Sequence, residues 1–324
     1  MYCPDFPLCM GYANKVSLHA GAVRIITLLP SADAREYTMW MDQVKTYGRL
    51  IKFSHTVFAL PFALAAVLLA NRQDPVSWFT LWWIVVAMAA ARSAAMGFNR
   101  LADYEYDRLN PRTSNRPLTA GQIPVKSVLV FVVVSSLVFV VSATMLGRTC
   151  LLLSIPVLAV LLLYSYTKRF TTLSHLFLGF AIGLAPAGAW VAASGTLDYR
   201  ILLLSGALMT YIAGFDILYA CQDVDFDRQA GLYSLPARCG IRKALAISTI
   251  LHLMTFLLLF SIYFVFNLGP IYLGFLVLIT LLLVIEHKLV KPGDLDHVNF
   301  AFFHINSVIS VLLFLGIWTD ISFF

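Results

Sequence analysis

From residue 53 onward the chain alternates long apolar runs with short polar loops. Runs near 53–70, 77–97, 124–146, 149–166, 173–193, 200–220, 244–266, 269–286 and 299–318 are each long enough, as helices, to cross roughly 30 Å of hydrocarbon. The pattern predicts an all-α, polytopic membrane protein with nine transmembrane helices. Composition agrees: 12% of residues are charged and 60% are apolar, against about 25% and 45–50% in a soluble domain.

Charge then orients the spans. Arg72, Arg148 and Arg200 alone fall in loops of one side, and Arg92 lies inside the second run; the other 19 of the 23 Lys and Arg residues lie on the side of the N-terminus. The positive-inside rule makes that side cytoplasmic, so the expected location is the bacterial inner membrane with the N-terminus inside. The net charge of +6 is spread over these loops, which points to anionic lipid and an anionic substrate and away from nucleic acid. Cys3, Cys9, Cys150, Cys221 and Cys239 form no CxxC pair, and reduced thiols are expected. Residues 1–40 have no signal-peptide pattern. With Met39 and Met41 just ahead of the first run, they read as a dispensable extension to a 41–324 membrane domain, and a chain starting at Met41 is expected to fold and remain active.

Acidic residues gather where two of these runs end. Asn99-x3-Asp103-x3-Asp107 follows the second run, and Asp216 leads to Asp223-x3-Asp227 after the sixth. A spacing of four keeps side chains on one helix face. Stacked carboxylates repel one another and face the negative end of their helix dipole, so a bound cation is expected to join them. Mg²⁺ suits such a site because it takes few carboxylates and completes its shell with water and phosphate oxygens. Both clusters follow even-numbered spans and so emerge on the same face. Asp216 lies one or two turns deeper than Asp223 and either binds something or pairs with a buried Tyr or Arg. Asp225 points off the stripe.

Among the cations, Arg116 is the expected phosphate contact, since a guanidinium forks two hydrogen bonds onto an oxyanion. Arg108 and Arg112 are equally readable as phosphate ligands or as membrane anchors. Lys168 and Arg169 end the fourth span on the same side. Arg49, Lys52 and His55 open the first and either hold an acceptor anion or anchor the helix. His175, His252, His287, His297 and His304 read as structural or interfacial. Pro61, Pro156 and Pro186 read as lying inside helices.

These residues resemble the UbiA family of intramembrane aromatic prenyltransferases over essentially all of 41–324. The resemblance rests on Asn99-x3-Asp103-x3-Asp107 with Arg112-Thr-x-Asn115-Arg116-Pro-Leu, on Asp216 with Asp223-x3-Asp227, and on Tyr164-x3-Lys168-Arg169. The stretch 219–238 is similar to a subgroup associated with 4-hydroxybenzoate or with the futalosine route to menaquinone. Many family members carry Asp after the first Asn, where this chain has Arg100, and Asp before the first-span Lys, where it has Ile51.

The resemblance implies helices around a central cavity, two Mg²⁺ ions under a cap formed by the 2–3 and 6–7 loops, and transfer of a polyprenyl group from polyprenyl diphosphate to an aromatic acceptor in ubiquinone or menaquinone biosynthesis. Asn99, Asp103, Asp107, Asp223 and Asp227 would be metal ligands. Arg116, Tyr164, Lys168 and Arg169 would bind diphosphate, Arg49 or Lys52 would orient the acceptor's carboxylate, and Asp216 would be the base. Two rivals are a CDP-alcohol phosphatidyltransferase, which would need one compact acid stretch with interleaved Gly, and a cation transporter, for which no inverted repeat is evident.

Overall fold

The computed structural model describes residues 31–52, 56, 58–291, 298 and 301–324. The chain forms two units, residues 1–45 and 46–324, and the candidate residues lie in the second. Helix α1 covers Ser31–Leu50, and most of the expected 1–40 extension, with His55 and His297, lies outside the described residues.

Each of the nine predicted runs contains a helix. They are α2 (Leu60–Asn71), α3 (Trp78–Ala102), α5 (Val125–Leu146), α6 (Arg148–Thr167), α7 (Ser174–Ser194), α8 (Leu202–Ala220), α11 (Ile241–Val265), α12 (Pro270–Leu289) and α13 (Asn306–Phe323). Among the described residues eight helices are long and apolar enough to cross a membrane, and α2, with 12 residues, is the shorter ninth. Three short helices, α4 (Tyr104–Leu109), α9 (Val224–Gln229) and α10 (Leu235–Cys239), lie in the loops that carry the acids. Pro61 falls in the first turn of α2 and not in its interior; its missing N–H would have had no partner there in any case. Pro156 and Pro186 are inside α6 and α7 as expected, and the Ser205 hydroxyl accepts the Ala187 N–H (3.1 Å) beside the second.

In hydrocarbon, apolar faces do not drive helices together, so close packing and buried hydrogen bonds must do it. Helix α8 is the central element, packed against α7 on one side and α11 on the other. Gly179 and Gly183 on α7 form a small-xxx-small stripe against the α8 backbone. A Cβ at Gly183 would lie 2.9 Å from the Ser205 carbonyl oxygen and 3.0 Å from Met209 Cβ. Gly183→Val is therefore expected to cost about 1–3 kcal/mol by overpacking, seen as a lower midpoint in a thermal unfolding scan in detergent. Outward, α5 and α6 expose Val130, Val133, Leu137, Leu152, Ile155 and Leu163, the surface a lipid-facing helix presents. These features make the chain a multi-pass membrane protein.

Away from the acids, α8, α11, α12 and α13 share a buried polar knot. His252 Nδ1 and His287 Nε2 lie 2.9 Å apart, Asn306 donates to Glu286 Oε1 (2.9 Å), and the Tyr211 hydroxyl donates to Asn306 Oδ1 (2.8 Å). His252 and His287 are both held within this knot.

Candidate active site

The acids are spaced by four as in a helix, but neither cluster lies within one uninterrupted helix. Asp103 separates α3 from α4, and Asp223 ends a 3-10 turn (Cys221–Asp223) that separates α8 from α9. Their backbones match, at φ −94°, ψ 4° and φ −103°, ψ 8°, the sparsely populated bridge region where many active-site residues are held.

The side chains are buried and engaged. Asp103 Oδ2 accepts from Lys168 Nζ (2.7 Å) and Asn99 Nδ2 (3.2 Å), while its Oδ1 is buried with no hydrogen-bond partner. Arg116 pairs with Asp107, which also has Arg100 at 3.8 Å. Arg112 forks onto Asp223, with Nε 2.8 Å from Oδ1 and NH2 on Oδ2; Asn110 donates to the same Oδ1 (3.0 Å). The Arg112 guanidinium also donates to the Tyr219 hydroxyl (2.7 Å). These bonds raise its pKa although burial opposes them. Arg108, in contrast, makes an exposed pair with Glu105. Asp225 is exposed.

The two clusters therefore meet. The loop after α4 reaches the end of α8 through Asn110 and Arg112, and Lys168 at the end of α6 holds Asp103 while lying within electrostatic range of Asp227. Arg169 donates to the Ala102 carbonyl and stacks over Tyr106 and Tyr166, which braces the end of α3.

Among the described residues no three His, Cys, Asp or Glu side chains converge as a ready-made metal site. Asp103, Asp107 and Asp223 are instead each paired with a cation of the chain, Lys168, Arg116 and Arg112 respectively. The donor set nevertheless fits a hard cation that keeps water and phosphate oxygens in its shell: every candidate donor is an oxygen, and Asp103 Oδ1 is an orphaned buried acceptor.

Beneath the acids lies an apolar cavity of about 210 Å³ between α3, α5, α6, α7 and the segment just before α2, lined by residues such as Met88, Met96, Phe139, Leu161 and Leu178. Its polar wall consists of Arg92, Tyr164, Thr56 and Ser154. The Arg92 guanidinium donates to the Lys52 carbonyl (3.3 Å), but its Nε is buried without a partner. Tyr164 is within electrostatic range of Arg92, Arg100, Asp103 and Asp216, so the cavity's polar end joins the acid site.

The chain belongs to the UbiA prenyltransferase family. The model of that family matches residues 59–308, more than half of the chain. A 4-hydroxybenzoate octaprenyltransferase of Dechloromonas aromatica (strain RCB) is 27% identical over 283 residues, covering 86% of this chain and 95% of that relative. One of Vesicomyosocius okutanii subsp. Calyptogena okutanii (strain HA) is 31% identical over 235 residues, covering 72% and 85%. Among solved structures, the apo form of a UbiA homolog from Aeropyrum pernix K1 superposes with a TM-score of 0.75 at 33% identity, over 82% of this chain and 98% of that one. A UbiA homolog from Archaeoglobus fulgidus bound to GPP and Mg²⁺ shares the fold, with a TM-score of 0.69 at 20% identity, over 86% and 99%. The protein is thus a membrane prenyltransferase, and the phosphatidyltransferase and transporter readings fall.

Reading this prenyltransferase from sequence missed several site residues. Arg100 registered only as a departure from the family pattern, yet it is buried, donates to the Leu50 carbonyl (3.2 Å) and faces Asp107. Asn110 and Tyr219 carry no signal in isolation. His175, expected to be structural or interfacial, lies with Nδ1 2.7 Å from Asp216 Oδ2. Arg49 is bound to Thr46 and Gln122, away from the cavity lining. Lys52 sits in the left-handed region (φ 47°) with Nζ 3.5 Å from the Tyr219 hydroxyl. Burial, then Arg100, Arg116 and Arg112, push its pKa down to about 7.

Proposed function

We propose that this prenyltransferase moves a polyprenyl group from polyprenyl diphosphate to the ring of an aromatic acid of the 4-hydroxybenzoate or dihydroxynaphthoate type, with Mg²⁺, two ions being expected, at the cytoplasmic face of the inner membrane. The observation that carries the reading is the joining of the two acid segments above an apolar cavity in whose lining, among the described residues, Arg92 is the cation. The names of the curated relatives support the acceptor class, and the ligands of the Archaeoglobus fulgidus homolog support the donor and the metal.

Asn99, Asp103, Asp107, Asp223 and Asp227 would hold the metal, which when bound supplies Lewis-acid neutralisation of the diphosphate. Arg116, Lys168, Arg169 and Arg112 balance the negative charge that builds on the leaving diphosphate as the C1–O bond breaks. The allylic cation left behind must be kept from water, and the Met, Phe and Leu lining of the cavity excludes it while burying the chain at about 0.8 kcal/mol per methylene. Arg92, with its free Nε and with Tyr164 beside it, is the better anchor for the acceptor's carboxylate than Arg49; Lys52 stands between this anchor and the diphosphate. The ring attacks C1, and Asp216 takes the proton from the substituted carbon so that the C–H electron pair restores aromaticity.

The direct test incubates proteoliposomes with labelled geranyl diphosphate, Mg²⁺ and 4-hydroxybenzoate or 1,4-dihydroxy-2-naphthoate. An apolar prenylated acid with one equivalent of pyrophosphate is expected. Pyrophosphate without a prenylated ring would overturn the acceptor assignment.

Lys52 gives a pH signature. With its folded pKa near 7, it is charged below that value and neutral above, so the diphosphate loses one cation as pH rises. KM for prenyl diphosphate is expected to rise between pH 6 and 8, by up to about tenfold if one charged contact of ~1.4 kcal/mol is lost. Lys52→Met should flatten that rise, which initial-rate measurements across the range would show.

A further inference from the structure

His175 on α7 touches Asp216, the acid proposed above as the base. Its ring is buried, with Nδ1 2.7 Å from Asp216 Oδ2 and Nε2 3.3 Å from the backbone nitrogen of Leu235. A backbone N–H can only donate, so Nε2 accepts and carries no proton. The ring proton is then on Nδ1 and is donated to Asp216. The tautomer follows from a peptide group in the loop between α8 and α11.

That loop has a second tether. The N–H of Tyr233 donates to the Lys168 carbonyl (2.8 Å), and Lys168 Nζ holds Asp103. Segment 233–235 is therefore bonded at one end to the residue that holds the first acid cluster and at the other to the histidine that holds Asp216. Nothing in hydrophobic packing requires this arrangement, since an apolar side chain of similar size at 175 would pack without either polar bond.

We infer that His175 is a positioning residue for proton removal: in the Nδ1–H form fixed by Leu235, it orients Asp216 with one carboxylate oxygen toward the cavity, and it ties that orientation to closure of the 233–235 segment. The inference rests on the role proposed for Asp216. His175 itself takes no proton in the step, because Nδ1 already carries one and Nε2 is engaged.

The local backbone allows a clean test. Leu235 is the first residue of α10, and Ser234 before it is extended at φ −66°, ψ 146°, the conformation favoured before proline. Leu235→Pro therefore deletes the N–H with little backbone change, and Leu235→Ala measures loss of the side chain alone. With full-length protein in proteoliposomes, geranyl diphosphate, Mg²⁺ and 4-hydroxybenzoate, His175→Phe is expected to lower kcat about 10- to 100-fold with KM for geranyl diphosphate within about twofold. His175→Asn, whose amide can donate from near the Nδ1 position, should recover most of the loss. Leu235→Pro should fall below Leu235→Ala. In an Asp216→Asn background, His175→Phe should produce no further loss.

Wild-type kcat in His175→Phe, or a full additional loss on top of Asp216→Asn, would overturn the inference. Full activity of Asp216→Asn alone would instead overturn the role given to Asp216. Amide hydrogen exchange at Leu235 needs no substrate: it should accelerate in His175→Phe, and an unchanged rate would mean the latch does not exist.

Discussion

Asp103→Ala is expected to lower kcat at least about a thousandfold, on the order of 4 kcal/mol in the barrier, in a protein that remains folded. Asp103 is where the two halves of the site meet: its Oδ2 holds Lys168 and Asn99, and its Oδ1 is buried without a partner. A buried acceptor left unpaired costs about 1–3 kcal/mol, a cost explained if that oxygen serves a bound cation. The substitution removes this donor and leaves Lys168 without its counter-ion at the proposed diphosphate site. Few apolar contacts are lost, because the residue lies at the helix break and not within the α8 core. Turnover at saturating Mg²⁺, beside a thermal scan, is the check; near-normal kcat would sink the metal-site assignment. Asp227→Ala should behave alike.

Arg92→Met is expected to raise KM for the aromatic acid by about 30-fold or more while leaving KM for prenyl diphosphate nearly unchanged. Removing one partner of a buried, hydrogen-bonded charge pair costs about 2–5 kcal/mol, and Arg92 is the cation lining the cavity. Met fills most of the same volume without charge, so the cavity should survive. A parallel assay with an acceptor lacking the carboxylate should show little difference between wild type and variant. Equal loss with both acceptors would move the carboxylate elsewhere, with Lys52 next in line.

Much of this protein was legible in the chain because a bilayer leaves few solutions. Backbone groups in hydrocarbon must be satisfied within helices, so runs of apolar residues gave the spans, and the asymmetry of Lys and Arg gave an expected orientation. The acids were conspicuous for the same reason: carboxylates at membrane depth are costly, and Asp103, Asp107, Asp223 and Asp227 stand out against 60% apolar residues.

Tertiary structure decided which groups meet. Sequence spacing describes one helix at a time, so it could not show that Asp103 and Asp223 sit at breaks, that Arg112 spans from one cluster to the other, or that Arg100 is turned inward. Arg108 and Arg112 are four residues apart and alike in type, yet one is solvated and the other bridges the site; the difference lies in what packs opposite them. His175 carried no signal because its partners are 41 and 60 residues away. Hydrophobic periodicity is a local property and survives in the sequence, whereas pairing across helices depends on their relative rotation and depth, which are set by contacts such as Gly183 against Ser205 and Met209.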